Sequence, residues 1–446
     1  MRLPAPTPPD GPGAPTWESA VDFLHALTGV TGINERRYLA WDDFRFRPVP
    51  DTYTHEQWWS VIRFRRRDSA RHLDLLRTSN DRAFSYVLAD EVLEAVDRIT
   101  RTASGQIGVE DDIANPSTRN RYVVSSLIEE AITSSQLEGA TTSRRVAKDL
   151  LKSGRAPRDR SERMILNNYR AMQYVGEHRH EKITPERVFE LHRLVTAGTL
   201  DNPNAAGRLQ TLDDDRVSVW SHDGLLLHSP PPAEELSERL ARLCRFANGE
   251  HDGAYIPPVL RALAVHFMFG YDHYFEDGNG RTARAAFYWV MLREGFWLTE
   301  FITVSRLLKR APSKYARSYL LTELDDGDLT HFFIYHLGII SRAIQGLHDY
   351  LDMKTREMSQ LKAVVSDRHA EFNHRQLALL EHALRHPDTA YTVHSHSMSH
   401  HVSGETARKD MTDLAKRGLL TQQRRGKHFA WRPAPDLADQ LRADTD

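Results

Sequence analysis

Cysteine is the scarcest residue in this 446-residue chain, and Cys244 stands alone. One thiol excludes a disulfide scaffold and any zinc or iron–sulfur centre built from several cysteines. Net charge is nearly absent as well, with 59 basic residues against 61 acidic ones and a formal balance of −2. The whole chain is therefore no polyanion binder, although such an average can hide a basic domain. Long apolar runs are missing too: nothing approaches the roughly 18 residues that a membrane-spanning helix needs. The first fifteen residues hold Pro4, Pro6, Pro8, Pro9, Pro12 and Pro15 together with Asp10, which interrupt the apolar stretch of a secretory signal. What is present is ordinary for a globular protein, 40% hydrophobic and 27% charged. The expectation is a soluble, cytoplasmic, multidomain protein with no membrane partner.

Along the chain, residues 1–16 read as a disordered Pro-rich lead. Residues 17–116 are rich in Trp and Arg (Trp41, Trp58, Trp59, Arg63, Arg65, Arg66, Arg67) and carry no chemical motif. They read as a mainly helical cap on the next unit of the chain. From 117 to 345 the pattern is mostly helical. Val124, Leu127, Ile128 and Ala131 form one apolar stripe of a helix, placed at 119–138, that Gly139 can end. Thr184 and Pro185 mark another helix start. One hairpin interrupts this unit: Val217 and Val219 alternate with polar residues, Asp223-Gly224 is a turn signal, and Leu225 to Leu227 form the return strand. A helical linker (346–372) then leads to a C-terminal unit at 373–435.

The stretch most informative about chemistry runs from His273 through Tyr274, Phe275, Glu276, Asp277, Gly278, Asn279, Gly280 and Arg281 to Arg284. Small residues opening a helix leave N–H groups free, an anion site. Arg281 and Arg284, three apart, leave the first turn on one face and suit a polyphosphate better than a single carboxylate. Asp277 can hold a Mg²⁺ that also ligates phosphate oxygens. His273 has the unperturbed pKa of a general base near neutrality.

These residues fit H-x-F-x-[DE]-G-N-G-R-x-x-R, and here the sequence resembles the Fic family. The likeness extends to PPVLRALAVHFMFGYDHYF before the motif, with Arg261 and His266, to NNYRAM (167–172), to LHRLV (191–195), and to GRLQ with the hairpin and PPP, similar to the family's flap. It implies a mostly α-helical fold, a Fic-type helical core with one β-hairpin flap. It also implies transfer of AMP from ATP to a Ser, Thr or Tyr hydroxyl of a target protein docked at the flap, with Mg²⁺ as cofactor. In that reading His273 is the base, Asp277 the metal ligand, and Gly278, Asn279, Gly280, Arg281 and Arg284 the phosphate-binding residues. Tyr274 stands where the family usually has Pro, a departure that bears on the shape of the loop.

Ser134-Ser135-Gln136-Leu137-Glu138-Gly139 matches the family's inhibitory pattern, [S/T]-x-x-x-E-[G/N]. The resemblance implies that Glu138, with Ser134, occupies Arg284 and blocks the site for the ATP γ-phosphate. In some relatives the same Glu removes AMP from a modified protein, so a de-AMPylase is the alternative within this class. A DNA-binding regulator with a nucleotide-sensing Fic domain is the alternative outside it, though a pure sensor would not need His273. Self-modification and a homodimer are both compatible with the sequence.

The C-terminal unit resembles a winged helix-turn-helix, with a recognition helix at 404–417 and a two-stranded wing. Between Glu405 and Lys427 lie Arg408, Lys409, Lys416, Arg417, Arg424, Arg425 and Lys427 against Glu405, Asp410 and Asp413. That local excess suits DNA phosphates, with Thr406, Ala407 and Lys409 toward a groove, or equally a protein partner. His394, His396, His400 and His401 read as surface histidines rather than a metal site.

Overall fold

The computed structural model describes residues 17–29, 37–104, 116–216, 218–220, 226–251, 253–367, 371–387, 389–425 and 428–443. The Pro-rich lead, Val217, the Asp223-Gly224 turn and Lys427 lie outside them. The chain divides into two units, 1–345 and 346–446. Its described structure is mostly helical, with three separate two-stranded hairpins.

In the first unit, α1 (Ala20–Gly29), α2 (Trp41–Phe44) and α3 (His55–Asp68) gather Ala26, Trp41, Phe44, Trp59, Val61 and Ile62 into a small core. Thr54 starts α3 through a capping box with Gln57. Two strands that the sequence does not announce interrupt this mainly helical region. Strands β1 (Arg71–Arg77) and β2 (Ala83–Tyr86) pair antiparallel ahead of α4 (Asp90–Ser104). The reason is local. A register shift between Leu73 and Arg77 lets Leu73 and Leu76, three apart, both turn inward, and that spacing imitates a helix. The region is fastened to the core: Arg63 bridges Asp325 (3.1 Å) and Asp326 (2.9 Å), and Ser85 exchanges backbone bonds with Gly327 and Leu329.

Helices α5 (Pro116–Leu137), α6 (Arg144–Ser153), α7 (Arg160–Glu177) and α8 (Pro185–Thr196) come next. Ile128 and Ile132 of α5 pack with Ala147 and Ile165. Thr184 caps α8 as its sequence suggests, accepting from the Arg187 N–H, with Pro185 at its first position. After strands β3 (Val219–Trp220) and β4 (Leu226–His228) come α9 (Leu236–Ala247), α10 (Pro258–Asp272) and α11 (Asn279–Arg293). α10 and α11 pack along each other and are buried on nearly every face, their polar residues included. α12 (Val304–Arg310), α13 (Pro312–Leu324) and α14 (Thr330–Asp367) complete this part, and the division between units falls inside α14.

The second unit contains α15 (His374–Arg385), α16 (Val393–His400), α17 (Gly404–Lys416), strands β5 (Leu420–Arg425) and β6 (His428–Pro433), and α18 (Leu437–Ala443). Leu437 and Leu441 of α18 enter the same core as Leu380, Met411 and Trp431, so this folded unit runs past residue 435. One of the four histidines is not at the surface. His396 is 4% exposed and faces Asp410, which also takes bonds from Arg375 and Asn373. Lys409 and Arg417 pair with Glu405 and Asp413, which reduces the positive charge this unit presents.

Cys244 lies buried in α9, where burial pushes its thiol up to about 12. The native protein at pH 8 should resist an aromatic disulfide reagent and react fully in denaturing urea; rapid native reaction would contradict this packing.

Candidate functional site

The site is built where α10 ends and α11 begins. His273 is the C-cap of α10 in the left-handed conformation, φ 50° and ψ 57°, uncommon for a residue with a Cβ. The chain then passes inward: Tyr274 and Phe275 are fully buried. The Tyr274 hydroxyl donates to Asp272 Oδ2 at 2.5 Å, and Arg239 donates to Asp272 Oδ1 at 3.1 Å. Burial pushes the Asp272 carboxyl up to about 6 against the pull of Arg239 and Tyr274. Tyr274, at the position of the expected Pro, is thus anchored by its own hydroxyl.

Gly278 caps α11 with φ 87°, and a Cβ there would lie 2.7 Å from Thr196 Cγ2. Only glycine meets both demands. Asn279 has a role that its place in the motif does not reveal. Its side chain accepts from the Phe275 N–H (3.0 Å) and donates to the Phe275 carbonyl (2.6 Å), closing the loop on itself. Its amide is therefore engaged with backbone, not turned toward a ligand. His192 of α8 stacks on Phe275 at 3.8 Å between ring centroids. Its Nδ1 accepts from the Gly207 N–H and its Nε2 donates to the Asp277 carbonyl, both at 2.8 Å. Burial holds His192 down at about 4, so it is the neutral tautomer that these two bonds require.

The two motif arginines diverge. Arg281, 1% exposed, donates to the Val195 carbonyl (2.9 Å) and to Asp277 Oδ2 (3.3 Å). Arg284, 2% exposed, reaches α5: Nε donates to Ser134 Oγ (2.8 Å), and Nη2 donates to the Ser134 carbonyl (3.1 Å) and Glu138 Oε1 (2.9 Å). Burial opposes the charge on Arg284 most strongly, but Glu138, Tyr315 and Glu130 together hold the guanidinium pKa above its ordinary value. Gly280 makes the approach of Glu138 feasible, since a Cβ at 280 would sit 2.3 Å from Glu138 Oε1. α5 is itself pinned upstream, where buried Glu130 accepts from the Ser305 N–H at 3.2 Å and Ser126 donates to the Phe301 carbonyl at 2.9 Å.

His273, Glu138, Asn279 and Gly280 line one cavity of ≈ 310 Å³. Burial lowers the His273 pKa below 6.5, so the imidazole is neutral at pH 7. The opposite wall comprises Tyr315, Tyr319, Leu320 and Glu323 of α13, with Leu227 and His228 of β4. These wall residues carry no motif, and α13 shows only an ordinary helical pattern. Asp277 remains about half exposed at the mouth of the loop. Among the described residues no group of three or more His, Cys, Asp or Glu is arranged for a metal. A single half-exposed carboxylate, Asp277, is the residue here that could hold a Mg²⁺, which would then need ligands from outside the protein.

Comparison with known proteins bears on this geometry. Residues 182–291 match the model of the Fic/DOC family. The chain is 32% identical over 117 residues to protein adenylyltransferase fic-1 of Caenorhabditis elegans, covering 26% of this chain and 21% of that protein. It is 30% identical over 135 residues to protein adenylyltransferase Fic of Nematostella vectensis, covering 30% and 29%. The matched stretch thus spans less than a third of these relatives. The crystal structure of a Fic family protein from Desulfovibrio desulfuricans superposes with a TM-score of 0.50 at 16% identity, covering 78% of this chain and 98% of that one, a likeness of fold.

Ser134→Ala removes a bond to a buried guanidinium and should lower the unfolding free energy by roughly 2 kcal/mol. Urea titration decides this, and a change below about 0.5 kcal/mol would mean the Ser134 hydroxyl adds nothing to the hold that Glu138 and the residue-134 carbonyl keep on Arg284.

Proposed function

We propose, on the premise that this chain is a Fic/DOC-family protein, that it transfers AMP from ATP to a hydroxyl of a target protein and holds itself in an inhibited state. The observation that carries the reading is the buried contact of Arg284 with Ser134 and Glu138 beside the loop that presents His273. A neutral imidazole beside a helix N-terminus at one cavity, with two buried arginines on that helix's first turns, suits phosphoryl-centred chemistry, in which positioning and charge stabilisation do most of the work. His273 would take the proton from the attacking hydroxyl, the new P–O bond would form at the α-phosphate, and pyrophosphate would leave with the bonding pair. The backbone of Gly278 to Gly280 would hold phosphate oxygens, with Arg281 and Arg284 compensating charge toward the β- and γ-phosphates. Mg²⁺ at Asp277 would add charge neutralisation.

Glu138 competes for the place of the γ-phosphate, because a carboxylate and a phosphate present the same acceptors to one guanidinium. Val219 and Leu226, 43% and 47% exposed, leave an apolar hairpin surface free for a target segment. Because Glu138 also faces the cavity of His273, AMP removal from a modified protein is the second reading.

With α-phosphate-labelled ATP, Mg²⁺ and a host lysate, Glu138→Gly should label protein at least 10-fold more than the wild type. Glu138→Gly/His273→Ala should fall back to background. Equal labelling by all three forms sinks the inhibited-transferase reading, and label loss from a pre-modified protein by the wild type alone would favour the hydrolase. The neutral form of His273 is the active one, and burial has lowered its pKa. The rate should therefore persist below pH 6.5 and decline only as pH falls through that lowered value; an acid limb centred above 6.5 would contradict this.

A further inference from the structure

The last carbonyls of a helix have no partner within the helix and need donors from elsewhere. α10 ends where His273 must be presented, and the donors come from the hairpin segment. His228 Nε2 donates to the Tyr271 carbonyl at 2.7 Å. Arg216 donates through Nη2 to the Asp272 carbonyl and through Nη1 to the His273 carbonyl, both at 2.8 Å. The same guanidinium grips the hairpin's own base. It donates to the Pro231 carbonyl through Nε (3.1 Å) and Nη2 (2.7 Å), and to Gln210 Oε1 through Nη1. Three successive carbonyls, 271 to 273, are thus capped by two side chains that flank β3 and β4.

We infer that Arg216 is a positioning residue, a hairpin-borne cap that fixes the left-handed peptide of His273 and with it the aim of the imidazole into the cavity. Arg216 is not among the described residues that line that cavity, so it acts through His273. The planar five-donor fork of a guanidinium suits the task, since it can hold several carbonyls in one fixed geometry where an ammonium would hold them loosely. Tyr274 and Asp272 brace the same loop from the buried side, and the Tyr274 carbonyl accepts from the Gln210 N–H at 3.0 Å. The hairpin and the base are thereby coupled. A segment docking on β3 loads a strand that begins three residues after Arg216, so displacement of the hairpin and displacement of His273 share one guanidinium.

This rests on the transferase reading, and its test separates the two. The full-length Glu138→Gly chain is compared with Glu138→Gly/Arg216→Met and Glu138→Gly/Arg216→Lys. Three quantities are measured: the side-chain resonance of His273 in histidine-labelled protein, assigned by its loss in His273→Asn; the affinity for α,β-methylene-ATP with Mg²⁺; and the labelling rate at saturating ATP of whichever lysate band Glu138→Gly modifies. Arg216→Met should shift or broaden the His273 resonance and leave nucleotide affinity within about 3-fold. It should slow labelling about 100-fold, the scale of a 1 Å misplacement of a reacting group. Arg216→Lys should recover part of that loss. An unchanged His273 resonance in Arg216→Met overturns the inference, as does a labelling loss matched by equal weakening of nucleotide binding. Should Arg216→Met not fold, a Lys variant equal to the parent in resonance and rate overturns it equally. If Glu138→Gly labels nothing, the transferase reading fails while the resonance still decides the role of Arg216.

Discussion

Arg284 is a cation taken almost wholly out of water, and such a charge is stable only with an anion or a set of strong acceptors around it. That demand organises the site. The end of α5 supplies the Ser134 hydroxyl, the Ser134 carbonyl and the Glu138 carboxylate, three acceptors from five residues. For the carboxylate to arrive, position 280 must lack a Cβ. Glycine there therefore serves the contact with Glu138 as well as any ligand at the helix N-terminus. The Glu130–Ser305 and Ser126–Phe301 bonds hold α5 at the right height for the contact. What looks like a single ion pair is the end of a chain of fixed distances.

A second constraint comes from helix ends. α10 and α11 are both buried, and each meets the loop with unsatisfied backbone groups. On the α10 side the hairpin segment supplies the missing donors through His228 and Arg216. On the α11 side the Gly278 N–H donates to Asp277 Oδ1 at 2.5 Å while Asn279 ties the loop to Phe275. The two ends are thus closed differently: the carbonyl end by side chains of the hairpin segment, the N–H end by the carboxylate of the loop itself. His192 joins α8 to the loop by holding the Asp277 carbonyl with one nitrogen and the Gly207 N–H with the other.

Much of this was legible in the chain, though unevenly. The helix start at Thr184-Pro185 comes from capping chemistry that acts over three or four residues, and the structure has it. The hairpin at 71–86 was hidden because a register shift gives Leu73 and Leu76 the spacing of a helix face. His396 looked like its three surface neighbours, since composition does not say which residue of a short helix turns toward Asp410. α18 gave no signal because seven residues carry too little pattern to announce that Leu437 and Leu441 are core.

The sequence by itself determined the local chemistry. The twelve residues from His273 to Arg284 bring an imidazole, a carboxylate, a helix N-terminus and two arginines together because a tight loop and one helical turn keep them close wherever the rest of the chain goes. Tertiary structure alone decided the partners. Arg216 lies 57 residues from His273, and α13 carries a wall of the cavity without any motif. Contacts at such separations depend on how helices pack, and packing depends on the shapes of many side chains at once. A linear pattern records which faces are apolar, not which face meets which.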